Sequence, residues 1–264
     1  MRKKFGLALG AGGSRGIAHI GFLQALEEIG VKPDYVTGCS MGSIVGACYC
    51  SGVSPAKMKE FVLELSILDL TSFNIVPLLQ NGFMQTKKAR KLIVELMGER
   101  NFNQLKIPFE CVATDLITGQ TVELREGSVV DAALASSSIP GVFTPTKIGE
   151  YEMLVDGCLV ERVPTRQLKA MGAEVIVAVD VLGNLMSEKP ASGHLINTLL
   201  RCIDIMDTRN TQRQRKLRDY VDLWLEPKLG DMDQYKIKNL DFAYERGYQL
   251  GVENRNRVKD LIES

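Results

Sequence analysis

The residues best placed to do chemistry are Gly38-Cys39-Ser40-Met41-Gly42. This G-x-S-x-G set lies between the β-favouring run Pro33 to Thr37 and the small-residue helical pattern Ser43 to Cys50, and it reads as a nucleophile elbow with Ser40 at its tip. A serine lifted onto a tight strand-to-helix turn sits in a strained backbone conformation. Neighbours two positions either side crowd it, so only glycine leaves room there. The following helix must lie close to its own strand and aim its N-terminus at the reacting centre, which Gly42, Ser43, Gly46 and Ala47 permit. Its amides and dipole then favour developing negative charge. The pentapeptide alone is a weak signal; strand before and helix after are the context it requires.

A second glycine-rich stretch precedes the elbow. The apolar run Phe5 to Leu9 enters Gly10-Ala11-Gly12-Gly13-Ser14-Arg15-Gly16, after which Ile17, Ile20, Leu23, Leu26 and Ile29 recur at helical spacing. Gly30 ends that helix, Pro33-Asp34 turns the chain, and the elbow strand completes a parallel β-α-β unit. The loop has competing readings. As a dinucleotide fingerprint it is damaged, because Arg15 stands where the third glycine belongs, although Asp34 lies about where a ribose-binding acid is expected. As an oxyanion hole it needs only unobstructed backbone N–H groups, which Gly12 and Gly13 supply ahead of a helix. The plain alternative is a tight strand-to-helix connection that binds nothing.

Beyond the elbow, Ser54-Pro55 caps a helix running to about Ser66. Ile67 to Met84 is apolar but aperiodic, and Thr86 opens a helix with Lys87, Lys88, Arg90 and Lys91 beside Leu92, Ile93, Leu96 and Met97. An acyl-chain-binding flap beside a basic amphipathic helix competes here with an ordinary cover for the sheet. Pro108 to Asp115 and Gln120 to Leu124 read as strands joined at Thr118-Gly119, with Asp115 capping local amides rather than acting in catalysis. Ser128 caps a helix to Ser137 that Ile139-Pro140-Gly141 stops. A hairpin (Thr144 to Ile148 with Glu152 to Val155) leads into Asp156-Gly157. Pro164 starts a helix that Gly172 ends, and Glu174 to Val181 reads as a strand buried on both faces. A loop at Pro190 to Gly193, a helix from Leu195 to about Leu217, a strand Val221 to Leu225 and a last helix around Leu240 to Ile262 follow. The basic run Arg209 to Arg218 is expected to be a solvated helix face.

The 264 residues are 45% hydrophobic, ample for a sizeable core, and are expected to form one domain. Lys+Arg and Asp+Glu both total 32, so no global charge points to nucleic acid. The opening Met1-Arg2-Lys3-Lys4 runs into Gly10 to Gly13 before a signal-peptide hydrophobic region forms. No stretch is long enough to span a membrane. Six cysteines show no C-x-x-C spacing, so a cytoplasmic protein without metal or other cofactor is the expectation.

Taken together, Gly10 to Gly16, the Gly38 to Gly42 elbow and Asp156-Gly157 resemble the patatin-like phospholipase family in its bacterial form. Ala113-Thr114-Asp115-Leu116 with Gly119, and Ala135-Ser136 through Ile139-Pro140, are similar to further stretches of that family, all in order from about Phe5 to Val181. The resemblance implies a Ser-Asp dyad, with Ser40 as nucleophile and Asp156 as base. It also implies an oxyanion loop over Gly12, Gly13, Ser14 and Arg15, with the Gly12 and Gly13 amides as the hole. Arg15 would then order that loop or attract an anionic head group. The family hydrolyses acyl esters of lipids without a metal in bond cleavage. The chain departs from its pattern at Cys158, where glycine or alanine is usual, and at Glu161-Arg162, where asparagines are common.

The histidines agree with a dyad. His19 lies on the helix after the glycine loop, where a packing role is expected. Ser40, Asp156 and His194 follow the chain order of α/β-hydrolases, but in that fold several strands precede the elbow, whereas here one does. An aspartate with a pKa near 3.9 is a poor base, so burial that raises it improves the match. A weak base also suits esters better than amides. The expectation is a three-layer α/β/α fold with a mostly parallel sheet: a motif-bearing core over about 5–181 and a helical extension with one strand over about 190–264. It would carry a serine acyl hydrolase acting on fatty-acyl esters of lipids, with peripheral membrane contact through Ile67 to Met84 and Lys87 to Lys91. A non-catalytic acyl-binding or regulatory protein on the same fold is the runner-up, and a nicotinamide-dependent oxidoreductase is a distant third.

Overall fold

The computed structural model describes residues 2–67, 82–183 and 195–264. In chain order these are β1 (Phe5–Leu9), α1 (Ala18–Glu27), β2 (Tyr35–Cys39), α2 (Met41–Cys50), α3 (Pro55–Ile67) and α4 (Gly82–Met97). There follow β3 (Phe109–Asp115), β4 (Thr121–Leu124), α5 (Val129–Ser136), β5 (Thr146–Ile148), β6 (Tyr151–Asp156) and α6 (Thr165–Met171). The chain ends with β7 (Val175–Val179), α7 (Leu195–Leu217), β8 (Leu223–Leu225) and α8 (Leu240–Glu263). One helix starts earlier than its Thr86 signal, at Gly82, and most of the Ile67 to Met84 stretch lies outside the described residues, as does His194.

Strands β3, β2, β1, β7 and β8 run parallel in that order, with β4 and the β5-β6 hairpin added antiparallel at the β3 side. The central strands bury both faces, as their unbroken apolar runs require. Leu7 and Leu9 of β1 and Val177 and Val179 of β7 join the larger core with α1, α2, α5 and α8. Ala8, Ile176 and Ala178, one residue out of phase, meet Leu168 of α6 on the other face. The result is a three-layer α/β/α architecture. Helix α8 seals the first face by lying against α1, where glycines remove the side chains that would separate them: a Cβ on Gly251 would come within 2.6 Å of Ala25.

The register of β3 sets the functional geometry. At Cys111 the strand pairs with Gly38 of β2 on one edge and Leu124 of β4 on the other; at Thr114 it pairs with Thr121 of β4 and Val155 of β6. A residue has only two edges, so β6 occupies the edge that β2 vacates. β2 ends at Cys39 opposite Val112, and Asp156 stands opposite Ala113, the next residue. The last residue of β6 is thereby delivered end-on to the residue after β2, which is Ser40.

Candidate active site

Ser40 has φ 52° and ψ −124°, on the side of the map that strains any residue with a Cβ. Its neighbours make that turn fit: a Cβ on Gly38 would lie 2.6 Å from the Gly42 carbonyl, and one on Gly42 would collide with the Leu9 carbonyl. Ser43 Oγ donates to the Ser40 carbonyl at 2.6 Å, and the Ser40 amide donates to Ser136 Oγ at 3.0 Å. Ser136, wholly buried at the end of α5, in turn donates to the Val112 carbonyl at 2.7 Å. The elbow is thus tied to β3 by one hydroxyl.

Ser40 Oγ donates to Asp156 Oδ2 at 2.6 Å. The other carboxylate oxygen accepts the Cys158 amide at 2.9 Å, a cap made possible by the short helical turn Gly157–Leu159. Asp156 is 1% exposed, and burial raises its pKa above the ordinary value, against the hydrogen bonds from Ser40 and Cys158 that lower it. The two carboxylate oxygens are thus held differently: one accepts from the backbone, the other from the Ser40 hydroxyl.

Gly12 and Gly13 line the same cavity as Ser40 and Asp156. Among the described residues no hydrogen bond engages either of their amides. The other two residues of the expected oxyanion loop differ. The Ser14 amide donates to the Gln234 carbonyl and the Arg15 amide to the Gly12 carbonyl, both at 3.0 Å, so of the four amides only those of Gly12 and Gly13 are without such a bond among the described residues. Arg15 orders the loop and does not reach for a head group: it is 4% exposed, with Nε on the Val181 carbonyl and Nη1 on those of Gly230 and Met232. The cavity beside Ser40 is about 30 Å3. Ile139, Pro140, Ile203, Asp204, Gln234 and Tyr235 are also in the lining.

His19 is structural. Its Nε2 donates to the Gly10 carbonyl at 2.8 Å, and full burial lowers its pKa to about 4, so it is neutral near pH 7. Asp115 caps its own turn, accepting from the Ile117 amide and the Thr118 hydroxyl. The departures at Glu161-Arg162 acquire a reason. Arg162, 1% exposed, places Nη1 on Asp207 Oδ2 at 2.7 Å and Nη2 on Asp180 Oδ2 at 2.8 Å. It thereby joins the segment after Asp156 to the end of β7 and to α7, while its carbonyl accepts the Ala11 amide at 3.0 Å. Glu161 is buried against Arg218 at 2.6 Å, so the basic run is not wholly a solvated face, although Arg209 and Arg213 are exposed. Sequence reasoning gave Ser136 no role beyond its place in the family-like Ala135-Ser136 stretch, and missed Asp180, Asp204 and Asp207. Only Ser136, a hydroxyl ending an apolar helix, carried a local signal.

A model of the patatin-like phospholipase family matches residues 7–169. An uncharacterized NTE family protein of Mycobacterium tuberculosis is 34% identical over 183 residues, covering 67% of this chain and 49% of that protein. The lysophospholipase NTE1 of Coccidioides immitis is 33% identical over 290 residues, covering 98% of this chain and 18% of that protein. The chain spans about half the length of the mycobacterial relatives it matches, and less of the fungal one. VipD from Legionella pneumophila superposes with a TM-score of 0.59 at 12% identity, over 99% of this chain and 67% of that one, a likeness of fold. No helix among the described residues is long and apolar enough to cross a membrane. With the family's motifs meeting where Ser40 bonds Asp156 and its model matching residues 7–169, the chain belongs to the patatin-like phospholipase family.

Proposed function

We propose that the chain is a serine hydrolase that cleaves fatty-acyl esters of lipids, phospholipid or lysophospholipid among them, through a Ser40-Asp156 dyad. The observation that carries this reading is the 2.6 Å bond from Ser40 Oγ to a buried carboxylate whose other oxygen is held by the backbone. Ser40 Oγ attacks the ester carbonyl as its proton passes to Asp156 Oδ2. The carbonyl oxygen, now an anion, lies toward the Gly12 and Gly13 amides, while the N-terminus of α2 directs its dipole at the same centre. Collapse breaks the bond to the alcohol, which leaves with the proton from Asp156, and Ser40 carries the acyl group. Water, deprotonated by Asp156, then releases the fatty acid and restores Ser40.

The lysophospholipase name of the fungal relative supports the substrate class. Contact with a membrane surface would be peripheral. The test is hydrolysis of a chromogenic ester series by the wild type, Ser40→Ala, Asp156→Asn and His194→Ala. The reading expects turnover abolished in the first two variants and kept in the third. Loss in His194→Ala would point to a triad, and an inert wild type would favour an acyl-binding protein.

A further inference from the structure

We infer that Asp204 is a positioning residue for the oxyanion loop, latching the strap over residues 230–236 against the glycines that would bind the oxyanion. The inference rests on the hydrolase reading above. Beyond β1 the Gly10 amide still donates to the Val179 carbonyl of β7 and the Ala11 amide to the Arg162 carbonyl, both at 3.0 Å, but neither bond reaches Gly12 or Gly13, so other groups must fix where their free amides point. The strap supplies them. The Gln234 carbonyl accepts the Ser14 amide at 3.0 Å, and the Asp233 carbonyl accepts Ser14 Oγ at 3.0 Å. The Gly230 and Met232 carbonyls hold Arg15. Gly13, at φ 49°, is pressed so closely by the Gln234 carbonyl that a Cβ would collide with it.

The strap has no helix or strand between β8 and α8. Its midpoint is held from α7: Asp204 Oδ1 accepts Gln234 Nε2 at 2.9 Å and the Tyr235 hydroxyl at 2.6 Å. One residue, Gln234, therefore takes Asp204 with its side chain and Ser14 with its backbone. Asp204, Gln234 and Tyr235 line the same cavity as Ser40 and Asp156. Both latch bonds fall on a single carboxylate oxygen. An asparagine retains an acceptor oxygen there and an alanine does not, which separates a latch from an effect of charge.

The experiment uses the full chain and a short soluble ester, with the wild type, Asp204→Ala, Asp204→Asn and Ser40→Ala, and with melting temperature and amide hydrogen exchange measured on each. Displacing a transition-state contact by about an ångström costs on the order of a hundredfold. Asp204→Ala is therefore expected to lower kcat by about ten- to a hundredfold with KM within about twofold. Asp204→Asn is expected to restore most of the rate, and the Ser14 amide to exchange faster in the alanine variant alone. Wild-type kcat and exchange in Asp204→Ala would overturn the inference, as would an asparagine variant as impaired as alanine. If the wild type shows no turnover dependent on Ser40, the hydrolase reading has failed. The exchange comparison then decides the latch by itself, and unchanged Ser14 protection in Asp204→Ala overturns it.

Discussion

The strain at Ser40 is measurable by replacing it in two ways. Ser40→Ala and Ser40→Gly both lose the 2.6 Å bond to Asp156 and leave the same carboxylate short of one donor, so their difference isolates the Cβ at φ 52°. Holding a Cβ in that region costs on the order of 1–3 kcal/mol. Glycine returns about 0.5–1 kcal/mol of this through its greater freedom in the unfolded chain. Taking the middle of both ranges, Ser40→Gly should be more stable than Ser40→Ala by about 1 kcal/mol, which for a chain of this size raises the melting temperature by about 2–4 °C. Urea unfolding of the two variants, with a shared m-value, gives the free energy directly. Equal midpoints, or a more stable alanine variant, would refute the claim that the elbow holds its nucleophile in a strained turn.

Ser136→Ala leaves the buried Ser40 amide and Val112 carbonyl without a partner, and should cost about 2–4 kcal/mol in urea unfolding; a loss below about 0.5 kcal/mol would contradict the hydroxyl bridge. Asp156 must be ionised to accept the serine proton and burial raises its pKa, so kcat/KM on a soluble ester should rise with pH through a midpoint above the ordinary aspartate value. A profile flat from about pH 4 to 7 would count against it. His19 binds its proton less readily folded than unfolded, its pKa falling from 6.5 to about 4. Its contribution to stability is thus full above pH 6.5 and is lost as pH falls toward 4, at up to about 1.4 kcal/mol per pH unit. His19→Gln, which keeps a donor for the Gly10 carbonyl, should flatten that slope, and identical slopes would contradict the assignment.

The parts of the site that were legible in the sequence are those whose backbone geometry demands particular residues. Gly38, Gly42, Gly12 and Gly13 are all required by close approach, and Gly13 also by its φ of 49°. The apolar runs of β1 and β7 and the glycine-ended helices likewise gave the layers and the β-α-β order, because burial and chain reversal leave local marks. What stayed hidden is what acts across long separations. Whether the Ser14 and Arg15 amides are free depends on the strap more than two hundred residues on, and on a turn that closes only in three dimensions. Nothing local to Arg15 marks it as held by the Val181, Gly230 and Met232 carbonyls, which are distant in the chain. Asp180, Asp204 and Asp207 sit at a strand end and on a polar helix where an aspartate is ordinary, and their roles come from Arg162, Gln234 and Tyr235. The end-on meeting of β2 and β6 follows from the register of β3, which alternation of residue types does not fix.

The most direct test of the dyad is the rate at which a serine-reactive alkyl phosphonate labels the wild type and Asp156→Asn, followed by intact mass and by mapping of the modified residue. The account predicts one adduct per chain, on Ser40, with labelling of Asp156→Asn slowed by about a hundredfold or more, within the range assigned to a positioned general base. An adduct on another residue, or an asparagine variant labelled at the wild-type rate, would contradict it.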